Sequence, residues 1–244
     1  MSTTLIWILM FVVMGLSFII QKTLQSRFEK YSQVPSPAGL TGAQVAEKML
    51  RDQGINGGGS FGNYYDRGQG RVCDVKIQSV GGQLTDHYNP QNNTVNLSEA
   101  VYSQRSVAAA AVAAHECGHV IQHAVGYMPL RLRTALVPVV TFSNKLVSWV
   151  LLAGVLLVEV FPGLLWLGVA LFAMSTLFSL VTLPVEIDAS RRAVAWLESA
   201  GITDSQTHPM AVDALKWAAY TYVIAALGSL ATLFYYIAMA QRRS

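Results

Sequence analysis

The sequence predicts a mainly α integral membrane protein, with about four transmembrane helices and a soluble α+β unit whose small antiparallel sheet precedes a central helix. Three observations predict it. Of the 244 residues, 52% are hydrophobic and only 13% are charged, a balance that ordinary soluble domains do not show. The apolar excess is gathered into four long stretches. The segment from Gln21 to Arg133, in contrast, carries the turns, charges and alternating patterns of a soluble domain.

The first stretch, Leu5 to Ile20 (LIWILMFVVMGLSFII), is long enough to cross a bilayer with its flanks, and residues 1–21 are assigned to a first transmembrane helix. A cleaved signal peptide would want positive charge before the run and a small-residue cleavage site after it. Here Lys22, Arg27 and Lys30 follow the run, so a retained anchor is expected. Residues 136–160 form the second span, whose first turns are interrupted by Pro138, Asn144 and Lys145. The turn at Glu159 to Gly163 leads into a third span at 164–185. A fourth occupies 215–240.

Of the 17 basic residues, 12 fall between Lys22 and Lys145 and three between Arg191 and Lys216, while none precedes the first span or lies in the turn after the second. Basic residues concentrate on the cytoplasmic side of membrane proteins. The expectation is therefore a multi-pass cell-membrane protein with residues 22–135 and 186–208 in the cytoplasm; the terminal Arg242-Arg243 pair runs against this orientation. The lipid bilayer is one partner. Nucleic acid is not, because the formal charge is only +3 and the basic residues are scattered without interleaved aromatics. Cys73 and Cys117 have neither metal-ligand spacing nor a disulfide framework, and read as reduced thiols.

Within the soluble unit, Val34-Pro35-Ser36-Pro37 is a stiff linker, and Thr41-Gly42-Ala43-Gln44 opens a helix with a capping box that ends at Gly54. Gly57-Gly58-Gly59 reads as a loop; no phosphate-binding fingerprint surrounds it. From Val72 the period changes to two. Val72 to Ser79, Leu84 to Tyr88 and Thr94 to Leu97 then read as three short strands of an antiparallel meander, with turns at Gly81-Gly82 and Asn89 to Asn93.

Ser106 can cap the helix that follows, at about 106–125, with Gly126 as its stop. This helix contains His115-Glu116-Cys117-Gly118-His119, an HExxH motif. Two histidines four residues apart project from one helical face and can share one zinc ion, while Glu116 can reach a water on that ion. Zinc with three protein ligands keeps a position for water and lowers its pKa to about 7, and Glu116 is then the general base in peptide hydrolysis. Cys117 points about 160–200° away from both histidines and is not a ligand.

A third ligand is required. His123 is close in sequence, but positions 115, 119 and 123 spread over about 12 Å along one helix, too far for a single ion. It reads instead as a polar residue at the surface or behind a ligand. Gln122 and Val125 stand where the metzincin pattern has glycine and histidine. The second and third spans form a hairpin that returns the chain to the face it left, at Leu183-Pro184-Val185-Glu186-Ile187-Asp188. Pro184 is expected to limit helix continuity there, with Glu186 opening a new helix. Glu186 and Asp188 lie about 200° apart on it, so only one can face the metal. The residues favour Glu186, a choice that rests partly on a family likeness.

That likeness is carried by LTDHYNP (Leu84 to Pro90), AAHECGHVIQH (Ala113 to His123) and LPVEIDASRRA (Leu183 to Ala193), which resemble the YugP-type membrane zinc metallopeptidases in order and in flanking spans across nearly the whole chain. More distantly, the chain is similar to the HtpX and CAAX-prenyl-endopeptidase group, in which HExxH is followed by a glutamate in an ExxAD-like motif. The resemblance implies a zincin-like unit in which His115, His119 and Glu186 hold zinc and Glu116 is catalytic. Ala189 matches the motif's alanine, but Ser190 stands where it has the aspartate that would bond a ligand histidine; Ser190 can donate or accept there. Asn89 stands where the YugP-like motif often has aspartate. The strand at Leu84 to Tyr88 becomes, by the same likeness, an edge for an extended substrate, with His87 and Tyr88 as candidate oxyanion donors. Membrane-associated or unfolded proteins and peptides are the implied substrates, with a role in membrane-protein quality control.

Two other readings compete. An intramembrane zinc protease would place its HExxH helix in the bilayer, yet this helix is alanine-rich, is flanked by Arg105 and Arg131, and no LDG-like aspartate motif follows. An inactive zinc-binding scaffold would close all four metal positions and would not need Glu116.

Overall fold

The computed structural model describes residues 3–55, 65–66, 70–71, 74–82 and 84–243. Val72, Cys73 and the glycines at 57–59 lie outside them. The elements, in chain order, are α1 (Thr3–Ser32), α2 (Gly42–Asp52), β1 (Tyr65–Asp66), β2 (Gly70–Arg71), β3 (Lys76–Val80), β4 (His87–Asn89), β5 (Thr94–Ser98), α3 (Glu99–Tyr102), α4 (Val107–Ala124), α5 (Met128–Leu156), α6 (Pro162–Ser199) and α7 (His208–Arg243). The chain is mainly helical and divides into two units, residues 1–21, 131–184 and 220–244 in one, and 22–130 and 185–219 in the other.

The first unit is built from the four apolar stretches, each part of a helix long and apolar enough to cross a membrane. Its large side chains face outward: Phe11, Phe142, Trp149 and Leu156 are all exposed. Such an inside-out surface is costly in water and favourable in lipid, so the chain is a membrane protein. Inside the unit, small residues let helices approach. A Cβ on Gly154 would meet Leu165 Cα at 2.7 Å, and one on Gly168 would meet the Leu151 side chain at 2.6 Å. Ser175 Oγ donates to Asn144 Oδ1 at 2.6 Å, tying α6 to α5 with a polar contact.

In the second unit the core forms around α4. Ser106 accepts from the Ala109 amide to start this helix, and the alanine run leaves room for neighbours on every side. The capping box of α2 is complete, with Thr41 and Gln44 bonding each other's amides, and its Val45, Ala46, Met49 and Leu50 face is fully buried. That face packs on α4, joined by Val95 and Leu97 of β5 and Val101 of α3.

The sheet is mixed rather than the antiparallel meander expected. Its order is β3-β5-β4, with β3 parallel to β5 and β4 antiparallel to it. The turn between β4 and β5 is a hairpin, helped by Asn89 Oδ1 accepting from the Gln91 amide at 2.9 Å and by Asn93 at φ 51°. The Gly81-Gly82 turn is not, because β4 passes to the far side of β5. Leu84 has φ 56°, a left-handed conformation that no strand contains, so β4 begins only at His87. All five residues of β5 are buried, as the central position requires.

A second correction concerns Pro184. α6 runs unbroken through it to Ser199, so Glu186 continues that helix rather than opening a new one. Proline removes one backbone donor, leaving the Leu180 carbonyl without its helical partner, and long apolar helices tolerate that loss when their neighbours hold them.

Candidate metal centre

α4 supplies two imidazoles on one face, and α6 brings a carboxylate to them. The ligand atoms of His115, His119 and Glu186 all lie within 4.8 Å of one another. Glu186 Oε2 is 3.2 Å from His115 Nε2 and 3.6 Å from His119 Nε2. Adjacent ligand atoms around a tetrahedral zinc, bonded at about 2.0–2.1 Å, are separated by about 3.4 Å, so this donor set fits the ion. Both histidines present Nε2 inward, and their Nδ1 atoms are held from behind. Ser190 Oγ lies 3.2 Å from His115 Nδ1, and Gln122 Oε1 lies 3.0 Å from His119 Nδ1.

The site is largely removed from solvent, with Glu186 2%, His119 8% and Glu116 7% exposed. Burial alone would raise the Glu186 pKa, but hydrogen bonds and charge from His115 and His119 outweigh it and hold this carboxyl well below the usual range. Burial lowers the His119 pKa, yet the Glu186 hydrogen bond and the charges of Glu116 and Glu186 raise it above its ordinary value. Glu186 therefore stays ionised beside two imidazoles, a donor set of the kind that holds a divalent cation. Glu116 sits one residue from His115, buried, and hydrogen-bonds no protein group among the described residues.

Asp188, the competing carboxylate, turns away from the histidines. Its Oδ2 accepts from Gln122 Nε2 at 2.8 Å and from Arg192 Nε at 2.6 Å. Gln122 Nε2 also donates to the Val185 carbonyl at 2.8 Å. Gln122 is fully buried. An amide placed there without partners would cost about 2–7 kcal/mol, and this one satisfies both donors and its oxygen. Sequence reasoning noted Gln122 only as a departure from another motif. Its i,i+3 spacing from His119 was the available signal.

His123 is buried rather than at the surface, because Tyr88 covers it: Tyr88 OH lies 2.8 Å from His123 Nδ1 and donates to Asn93 Oδ1 at 3.1 Å. Burial holds the Tyr88 hydroxyl well above its ordinary pKa. His87 lies on exposed β4, with Nδ1 2.8 Å from the Thr85 carbonyl and Nε2 3.2 Å from Asn96 Nδ2. Neither residue bonds a member of the triad among the described residues. Cys117 faces the core, its thiol directed at the Ala46 carbonyl at 3.6 Å and pushed up in pKa by burial and by Glu116. It is not one of the three groups brought together at the metal centre.

Comparison with known proteins agrees with this chemistry. The model of a family described as "Putative neutral zinc metallopeptidase" matches residues 6–59 and 67–241. A relative from Bacillus subtilis (strain 168), "Putative membrane protease YugP", is 40% identical over 224 residues, covering 92% of this chain and 91% of the relative. No solved structure matches the chain.

Proposed function

The chain belongs to the neutral zinc metallopeptidase family, and from that premise we propose that it is a membrane-embedded endopeptidase in which His115, His119 and Glu186 hold zinc and Glu116 is the general base. The observation that carries this reading is the convergence of two imidazole Nε2 atoms and one carboxylate within 4.8 Å, with a buried carboxylate beside them that is not a member of the triad. The combination of HExxH with a later glutamate is gluzincin-like. When bound there, zinc supplies a Lewis acid and an activated water near neutral pH.

The chain's own residues do the rest. Glu116 takes the proton of the attacking water and delivers it to the departing amine, a transfer that needs a carboxylate without a competing protein partner. Glu186 neutralises positive charge at the site, while Ser190 and Gln122 keep both imidazoles turned inward. β4 is an edge strand of its sheet, which suits backbone pairing with an extended chain. Substrates of that form are unfolded or membrane-associated proteins and peptides, as in membrane-protein quality control. The distribution of basic residues supports a cytoplasmic site. Against an intramembrane protease, α4 is enclosed by α2, α3 and β5 and is not among the four long apolar helices.

The test is zinc content together with cleavage of an unfolded protein, for wild type and Glu116→Gln in the same detergent. Equal zinc in both, with activity lowered by about 10²–10⁴-fold in the variant, is expected. Full activity in Glu116→Gln, or wild-type protein without zinc, would defeat the reading.

A further inference from the structure

We propose that Gln122, anchored by Asp188 and Val185, is the positioning residue that fixes the tautomer and ring orientation of His119; the inference rests on the metal site just described. The amide has one possible orientation. Its Nε2 lies 2.8 Å from the Val185 carbonyl and 2.8 Å from Asp188 Oδ2, and the second of these already accepts from Arg192 Nε. Reversing the amide would set its oxygen against two acceptors. Oε1 therefore faces His119 Nδ1 at 3.0 Å, and a carbonyl oxygen only accepts, so Nδ1 carries the proton. In a neutral imidazole the lone pair then sits on Nε2, the atom 3.6 Å from Glu186.

Ser190 does not exert the same control over His115. A hydroxyl donates or accepts equally well, so the 3.2 Å contact to Nδ1 is compatible with either tautomer. The two ligands are thus held unequally. The carboxylate that stands behind the metal site is Asp188, and it acts on His119 through an amide rather than by direct contact. Arg192, whose guanidinium also lies 6.0 Å from the Tyr127 ring centre, keeps that carboxylate in place. Glutamine is the one residue type of this length that can accept from the imidazole and donate to two oxygens at once. Glutamate would oppose Asp188, and methionine would bond neither side.

The experiment is competition between full-length protein and a chromophoric chelator for zinc, with the cobalt-substituted absorption spectrum and the metal-free Tm recorded in parallel. Gln122→Met is expected to weaken zinc binding by about 10–100-fold and to change the cobalt spectrum. Gln122→Glu should also weaken it, because its second oxygen would face the Val185 carbonyl and Asp188 Oδ2, whereas Asp188→Asn, whose Oδ1 can still accept from both Gln122 and Arg192, should keep affinity within a few-fold of wild type. A purely structural role would lower the metal-free Tm of the Gln122 variants while leaving zinc affinity and the cobalt spectrum as in wild type. Wild-type affinity in Gln122→Met or in Gln122→Glu, or a loss in Asp188→Asn as large as theirs, overturns the inference while leaving the metal site intact if His119→Ala abolishes binding. Should His119→Ala bind zinc like wild type, the three-residue site falls and the inference with it. If Gln122→Met does not fold, Gln122→Glu and Asp188→Asn decide alone.

Discussion

A Cβ placed on Gly118 would lie 2.7 Å from the Ala189 carbonyl oxygen and 3.1 Å from Ala189 Cα. This close approach of α4 and α6 sits between the two histidines on one helix and between Glu186 and Ser190 on the other. Gly118→Ala poses two opposite effects: helix propensity alone would stabilise the protein by about 1 kcal/mol, whereas forcing backbone apart typically costs about 1–3 kcal/mol. The obstructing atoms are backbone and cannot rotate aside. The expected outcome is a lower Tm together with weaker zinc binding; a raised Tm with unchanged affinity would show that the crossing has slack.

Much of this centre is legible in the sequence because its determinants are local. HExxH specifies a helix face by itself, Ser106 and the Thr41/Gln44 pair mark helix starts, and the apolar stretches appear as long helices. What escaped is set at long range. Alternation identifies β3 and β5 as strands but carries no label for their partner, so the parallel pairing that skips β4 could not be read. Pro184 has a clear local cost, and only the surrounding packing decides that the helix continues through it. Gln122 looks like any polar residue until Val185 and Asp188 are brought to it from 63 and 66 positions away.

Removing the Ser190 hydroxyl should matter less than removing the Gln122 amide. A neutral hydrogen bond contributes about 0.5–1.5 kcal/mol net, and the 3.2 Å contact to His115 Nδ1 does not select a tautomer. Ser190→Ala is therefore expected to weaken zinc binding by at most about tenfold. The same chelator competition measures it. A loss larger than that of Gln122→Met would place the dominant control behind His115 instead.

His87 and Tyr88 already have partners. With Tyr88 shared between Asn93 and His123, and both His87 nitrogens bonded to Thr85 and Asn96, neither has an idle donor for an oxyanion. Loss of an oxyanion donor lowers kcat by about 10²–10³-fold. His87→Ala and Tyr88→Phe should each change kcat by less than about tenfold, with Tyr88→Phe costing about 1 kcal/mol of stability. Steady-state kinetics beside thermal melts separates the two effects, and a hundredfold fall in kcat would assign the oxyanion role to the residue changed.

Zinc binding should expel a proton. In the metal-free site the His119 pKa is raised, chiefly through Glu186 working against burial, while the Glu186 carboxyl is held low and stays ionised. Below the raised His119 pKa the pair therefore keeps a proton on the imidazole side, facing the carboxylate. A ligand histidine must be unprotonated, so the metal has to displace that proton. The sign follows: apparent affinity falls as pH drops through the raised His119 pKa and levels off above it. Calorimetric zinc titrations in two buffers of different ionisation enthalpy, repeated between about pH 6 and pH 8, measure the release directly. The number of protons released should grow toward the acid end. No release anywhere in that range would mean that His119 is already neutral, and that its contact with Glu186 is not a charge-assisted bond waiting to be replaced by the metal.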